Sequence, residues 1–416
     1  MQRIIAAAAL AVASTLATAQ GLTLAQAQQS AVERSLQLRA QDARATASLE
    51  MAQAADRLPD PVLRLGLDNV PVDGPDRFSL TNDFMTMRRI GVSQEWTGRD
   101  KRALRRERFE LEAGMVHAER DADLAAIRRN TAVAWLACYY GAKMSAAATR
   151  FVEASRAEVE AADAAYRAGR GAQSDVISTR SALALAEDRR IDIERRLRGA
   201  RLELVRWTGS SATASLAAAP DMSTVHLEHG SLEAHLDRHP EIVALGRRAD
   251  VAQAEARIAA TARHPDWTWE ASYQQRGPAY SNMVSIGVSI PLPWDAANRQ
   301  DRETAARMAQ ADEALARRDE ARRAHISEVG AMLEEWRAGR ERQARFHRDI
   351  VPLAGEKTSA VLAAFGGARA GLDQVLAARR GELEVELQSL QLDLEVATLW
   401  AKLEFLLPDA QLEASR

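Results

Sequence analysis

Twice along the chain the apolar positions leave a helical spacing, alternate through a pair of short segments, and return to a helical spacing. Residues 22–57 carry the first helical stretch, and Pro59-Asp60-Pro61 ends it, because proline removes a backbone donor and restricts the residue before it. Leu63, Leu65 and Leu67 then share one face of a strand, with Val62, Arg64, Gly66 and Asp68 on the other. A Pro/Gly/Asp loop at 71–76 leads to a second strand at 86–96, where Ile90, Val92 and Trp96 alternate with Arg89, Gly91, Ser93 and Glu95. The later hairpin, at 266–294, sets Trp267, Trp269, Ala271 and Tyr273 against Thr268, Glu270, Ser272 and Gln274. After a turn at Gly277-Pro278, Val284, Ile286, Val288, Ile290, Leu292 and Trp294 alternate with Ser285, Gly287, Ser289 and Pro291. One face is apolar and the other small or polar, the pattern of strands with lipid outside and water inside. A hairpin in water would not display a whole row of Trp, Ile and Leu.

The two excursions are copies. Ile90-Gly91-Val92-Ser93 recurs as Ile286-Gly287-Val288-Ser289, a shift of 196, and Pro59-Asp60 recurs as Pro265-Asp266, a shift of 206. Each is followed by a helical pattern far longer than a globular helix, at 98–165 and at 299–364. Some 66 residues at about 1.5 Å each reach about 100 Å. The first has no proline from Arg99 onward, and the second is interrupted only by Pro352. Each ends in a related turn: residues 166–180 lie over 365–379 at a shift of 199, aligning Tyr166 with Phe365, Arg170 with Arg369 and Val176 with Val375. A return helix follows each turn, to about 207 and 407. The organisation read from this is a signal peptide at 1–19, a first repeat at 20–208 with its tip at 166–174, a linker at 209–230, a second repeat at 231–408 with its tip at 365–372, and a tail at 409–416.

The first residues place Arg3 before an apolar run and Ala17-Thr18-Ala19 before Gln20, which reads as a secretory signal cleaved after Ala19. Cys138 is the single cysteine, so no internal disulfide holds the fold, and no cysteine stands at the cleavage site to take a lipid. Beyond the signal no apolar run is long enough for a membrane helix, so a membrane would be crossed by strands. With 55 basic and 58 acidic residues mixed along the chain, there is no basic face for nucleic acid. No nucleophile, base and orienting group stand together, and no phosphate-binding glycine loop is present, so neither an enzyme nor a bound cofactor is expected.

Four strands cannot close a barrel that seals its edges and holds water, and open edges are not tolerated in lipid. Three chains supply 12 strands, an even number within the range of outer-membrane barrels. Trp96, Trp267, Trp269 and Trp294 lie at the helix-proximal ends of the strands and read as an interfacial girdle. At the tips, Asp175 and Asp373 would repeat as acidic rings at a constriction, or else cap the helices that follow. Arg170 and Arg369 occupy equivalent tip positions, and Gly169, Gly171, Gly366, Gly367 and Gly371 allow the chain to reverse. His226, His229, His235 and His239 cluster, with His235 and His239 on one helical face, but they lack a third ligand at clear spacing and are not read as a metal site. Met85 and Met87 read as loop-proximal barrel residues.

The duplicated order of helix, strand pair, long helix, glycine-containing tip and return helix resembles the TolC family of outer-membrane efflux proteins across essentially the whole mature chain. The tip at 166–180, above all Gly169 and Asp175-Val176, and the stretch His239-Pro240-Glu241-Ile242 are similar to that family's turn and second-repeat start. Asp68-Asn69-Val70-Pro71 and Ser79-Leu80-Thr81-Asn82-Asp83-Phe84-Met85-Thr86-Met87 further resemble its heavy-metal branch, the CzcC-like and CusC-like proteins. The resemblance implies a mainly α fold with a membrane β part: a homotrimer with a 12-stranded β-barrel in the outer membrane and a long α-helical barrel in the periplasm. It implies the exit duct of a three-part system, working with a periplasmic membrane-fusion adaptor and an inner-membrane RND pump and exporting heavy-metal cations. Drug efflux or type I protein secretion through the same architecture is the alternative; a periplasmic adaptor or scaffold without a pore is a second, disfavoured by the lipid-type strand pairs.

Overall fold

The structure, a computed structural model, describes residues 21–209, 215–225 and 237–406. The expected signal peptide at 1–19, the tail at 409–416 and His226, His229 and His235 lie outside the described residues. The chain forms two compact units: one comprises the described residues of 21–38, 122–239 and 324–406, the other residues 39–121 and 240–323.

Helix α1 (Leu24–Arg34) starts at a reciprocal cap: the Gln26 backbone N–H donates to the Thr23 hydroxyl at 3.2 Å, and the Thr23 N–H donates to the Gln26 side chain at 3.0 Å. α2 (Leu36–Ala55) stops short of the Pro59 and Pro61 pair, and β1 (Val62–Asp68) and β2 (Met87–Trp96) follow. α3 (Arg99–Arg167) runs 69 residues without a break. α4 (Gln173–Thr208) ends where Gly209 takes the left-handed conformation, φ 67°, and its N–H bonds the Val205 carbonyl at 2.8 Å. α5 (Pro240–Ala260) begins on a proline, whose fixed φ suits that position. β3 (Trp267–Gln275), β4 (Met283–Ser289), α6 (Gln300–Arg345), α7 (Val351–Gly366) and α8 (Leu372–Glu404) complete the order. The chain is mainly helical with one small sheet. No helix among the described residues is long and apolar enough to cross a membrane.

In the second unit all four strands pair antiparallel in the order β1-β2-β3-β4. The duplication is visible in the register itself. Arg64 lies opposite Gly91 in one hairpin and Glu270 opposite Gly287 in the other, the same pair under shifts of 206 and 196. The alternation that reaches Trp294 in the sequence is not all strand: the ladder ends at Ser289, because Pro291 and Pro293 have no N–H to donate.

In the first unit the core gathers around Trp135, Leu136, Val329 and Leu403, all essentially without solvent contact. Each such side chain contributes about 1.5–3 kcal/mol by leaving water. Two indoles also serve the backbone. Trp135 donates to the Leu22 carbonyl at 2.9 Å and Trp400 to the Thr224 carbonyl at 3.0 Å, fixing segments that lie outside regular helices. Leu22 is tied again by its N–H to Ser215 at 2.7 Å, a one-rung parallel bridge.

Between α6 and α7 lies a π turn, Phe346–Ile350. Pro352 explains it. In a regular helix the proline ring would collide with the Arg348 carbonyl and leave it without a donor, so the preceding turn widens and the Val351 N–H bonds Phe346, five residues back. The turn carries His347, whose Nε2 lies 3.0 Å from Asp393 Oδ1, an oxygen that also accepts from Gln343 Nε2 at 2.8 Å. Asp393 is buried, and burial, then its charge, pushes the neighbouring Tyr140 hydroxyl up to about 12.

Candidate functional site

The residues singled out by the sequence fall on two features: the faces of the sheet and the turns that end the helices. On the sheet, register assigns every side chain to a face, since directly paired residues point the same way. Leu63, Leu65, Ile90, Val92, Trp96, Trp267, Trp269, Tyr273, Val284, Ile286 and Val288 share one face. They are exposed, Leu65 to 71% and Ile286 to 79%. Trp96 pairs with Trp267, and Trp269 sits two residues along the same face, between Gln94 and Val288. Trp294 lies beyond the last rung, 89% exposed.

The opposite face is polar and cross-linked. Arg64 reaches from β1 across β2 to Glu270 on β3, with Nη1 3.5 Å from the carboxylate. Arg89 meets Asp68 at 3.2 Å, and Gln274 donates to Ser272 at 2.9 Å and Ser285 at 3.0 Å. Gly91 and Ser93, on the strand that Arg64 crosses, are buried. Their counterparts Gly287 and Ser289 are exposed, and a Cβ built on Gly287 would meet nothing within 4 Å. Met87 opens β2 on this polar face; Met85 stands outside the strand, in the preceding loop.

The two tips close with the same pair of hydrogen bonds. After α3, the Gly169 N–H bonds Tyr166 at 3.0 Å and the Arg170 N–H bonds Ala165 at 2.9 Å, with Gly169 left-handed at φ 68°. After α7, the Ala368 N–H bonds Phe365 at 3.0 Å and the Arg369 N–H bonds Ala364 at 2.8 Å. Here the left-handed residue is Ala368, φ 56°, not a glycine. Gly366 ends α7, while Gly367 and Gly371 have φ of −87° and −84°, open to any residue. A Cβ at Gly171 would make a tight contact, 3.2 Å from the Ala165 side chain.

Asp175 acts locally as a cap: its Oδ2 accepts from the Ala172 N–H at 3.2 Å. Asp373 curls over Gly371, its Oδ1 lying where a Cβ added at Gly371 would go. Arg170 and Arg369 are exposed, and neither enters an ion pair among the described residues. The tip-proximal ion pairs use Arg180 and Arg379, which the shift of 199 superposes, with acidic partners that spacing did not single out. Asp163 holds Arg167 at 2.6 Å and Arg180 at 3.6 Å. Arg379, the counterpart of Arg180, lies 2.7 Å from Glu158, whose carboxyl is pushed up by burial and pulled back by that arginine.

His239 is buried against His325, ring centroids 4.1 Å apart, and its Nδ1 has no hydrogen-bond partner. Burial first, then His325 and Arg129, lowers its pKa to about 3, so it is neutral. Among the described residues no three His, Cys, Asp or Glu side chains come together to hold a metal.

No family model and no curated protein matches the chain. Solved structures do. The chain is similar to the open state of the Neisseria gonorrhoeae MtrE outer membrane channel, at 16% identity and a TM-score of 0.77, over 93% of this chain and 89% of that one. It is similar to CusC, described for folding and transmembrane channel formation, at 14% identity and a TM-score of 0.76 over 92% and 91%. The Campylobacter jejuni CmeC outer membrane channel matches at 11% identity and a TM-score of 0.75 over 94% and 88%. At such identities the likeness establishes the fold, that of TolC-like channels with a helical barrel and a β part.

Proposed function

We propose that this chain is one of three identical subunits of an outer-membrane efflux duct, its sheets closing a 12-stranded barrel and its long helices extending into the periplasm. The observation that carries the reading is the sheet: an exposed apolar face, a polar face bridged by ion pairs, and two strands, β1 and β4, each with a single neighbour. In lipid such edges must be paired, and copies of the same chain supply the missing partners. Beside an adaptor and an inner-membrane RND pump, the duct exports heavy-metal cations; the likeness of 68–71 and 79–87 to the heavy-metal branch supports that cargo.

Extraction and susceptibility test the two levels. The protein is expected in the outer membrane, soluble only with detergent and trimeric by light scattering; a detergent-free soluble monomer overturns the duct. Deletion is expected to sensitise cells to copper, silver, cobalt, zinc or cadmium. Unchanged metal resistance with raised antibiotic sensitivity overturns the cargo and leaves the duct standing.

A further inference from the structure

The duplicated sheet register specifies what must lie beside β4. Inside the chain, Arg64 faces Gly91 and passes over it to Glu270, which stands opposite Ser93 on the next strand. Small residues on β2 leave room for a long side chain to cross that strand; Gly91 and Ser93 are buried, and a Cβ added at Gly91 would meet Ser272 of β3 at 2.8 Å. Glu270 is the counterpart of Arg64, and Gly287 and Ser289 are those of Gly91 and Ser93. The second hairpin therefore has the same small-residue path, and it is uncovered: Gly287 is exposed with nothing near its Cβ position.

We infer that Glu270 reaches over Gly287 to Arg64 of the next copy, so that three arginines and three glutamates alternate in a closed belt around the inside of the barrel. The inference rests on the three-copy barrel proposed above and adds its register. The β2–β3 pairing sets Gly91 opposite Ser272 and Ser93 opposite Glu270. Carried by the same shifts, it sets Gly287 opposite Gly66 of the next copy and Ser289 opposite that copy's Arg64. Two consequences agree with this register. Val288 and Ile286 come to lie beside Leu65 and Leu67 of the next copy, continuing the apolar face without interruption. The span from Glu270 to the neighbouring Arg64 crosses one strand, about 4.8 Å from each flanking strand, as the intrachain pair already does. Glu270 has two oxygens and Arg64 a fork of donors, so each has capacity for a partner on either side.

Register and charge are tested separately, in a Cys138→Ala background. Gly66→Cys with Gly287→Cys is expected to give covalent dimers and trimers on mild oxidation, from particles that are trimeric by light scattering. Each single cysteine gives none. If Gly66→Cys cross-links to Ser285→Cys instead while the particle remains trimeric, the belt is overturned and the duct stands; if no trimer mass is found, the duct itself falls. For charge, Arg64→Glu and Glu270→Arg are each expected to lower the yield of heat-resistant trimer severalfold. Co-expressing the two variants restores opposite charges only between copies, at two of the three junctions of a mixed trimer, and is expected to recover mixed trimers preferentially. Equal, unrecovered yields on mixing overturn the cross-copy pair.

Discussion

The two helical hairpins share a sequence pattern at a shift of 199 and end in the same hydrogen-bonded turn, yet only the first is built without compromise. Its ascending helix α3 is a single element, and glycine occupies the left-handed position at its tip. The second is broken by a π turn before Pro352 and forces Ala368 into a conformation that costs a residue with a Cβ about 1 kcal/mol or more. The two turns share their backbone hydrogen bonds and differ in the side chain at the left-handed position. The difference teaches that the turn is fixed by geometry and glycine is only its least costly occupant.

The largest effect should come from the first repeat. Trp135→Ala removes a fully buried indole and the bond to Leu22, and is expected to cost about 4 kcal/mol in urea or thermal unfolding. If the loss is below about 1 kcal/mol, α3 is not the better-anchored half. Next is a titration confined to the second repeat. His239 is neutral when folded, its pKa lowered from 6.5 to about 3, so the unfolded chain binds the extra proton as the pH falls. Stability is complete above pH 6.5 and falls between there and about 3, by about 1.4 kcal/mol per pH unit within that window. Unfolding at pH 7 and pH 4.5 should differ by about 3 kcal/mol, and His239→Phe should flatten that dependence.

A reciprocal pair of tip substitutions follows. Gly169→Ala should lower stability by about 1 kcal/mol and Ala368→Gly should raise it by a similar amount, because neither site is crowded in the way a packing effect would require. Changes of the same sign at both tips would dissolve the comparison. Smallest is Asp175→Ala, which frees the Ala172 N–H and should cost about 0.5–1 kcal/mol through the cap, whatever else the carboxylate does in a trimer.

Alternation and length made the architecture legible in advance: Leu63, Leu65 and Leu67 do share a face, and the long proline-free run is one helix. Proline marked the π turn only as an interruption, since whether a helix breaks or widens depends on what packs around it. Conformation at single residues was not legible. Gly366, Gly367 and Gly371 drew attention as turn formers, and the left-handed residue is the alanine beside them. The Arg64–Glu270 bridge was hidden for another reason: its partners are two strands apart, and only the pairing of β2 with β3 makes them neighbours.

The π turn also changes how the second helix counts. A regular α-helix advances about 100° per residue, so one inserted residue would swing everything beyond it to a different side. A single π turn absorbs that residue and returns the flanking segments to their original phase. With Pro352 replaced, Phe346–Ile350 is thus a place where the chain can lose one residue and still present Thr358 to the Ala378 carbonyl, whereas the same loss at 147–151 in α3 would rotate the whole first tip.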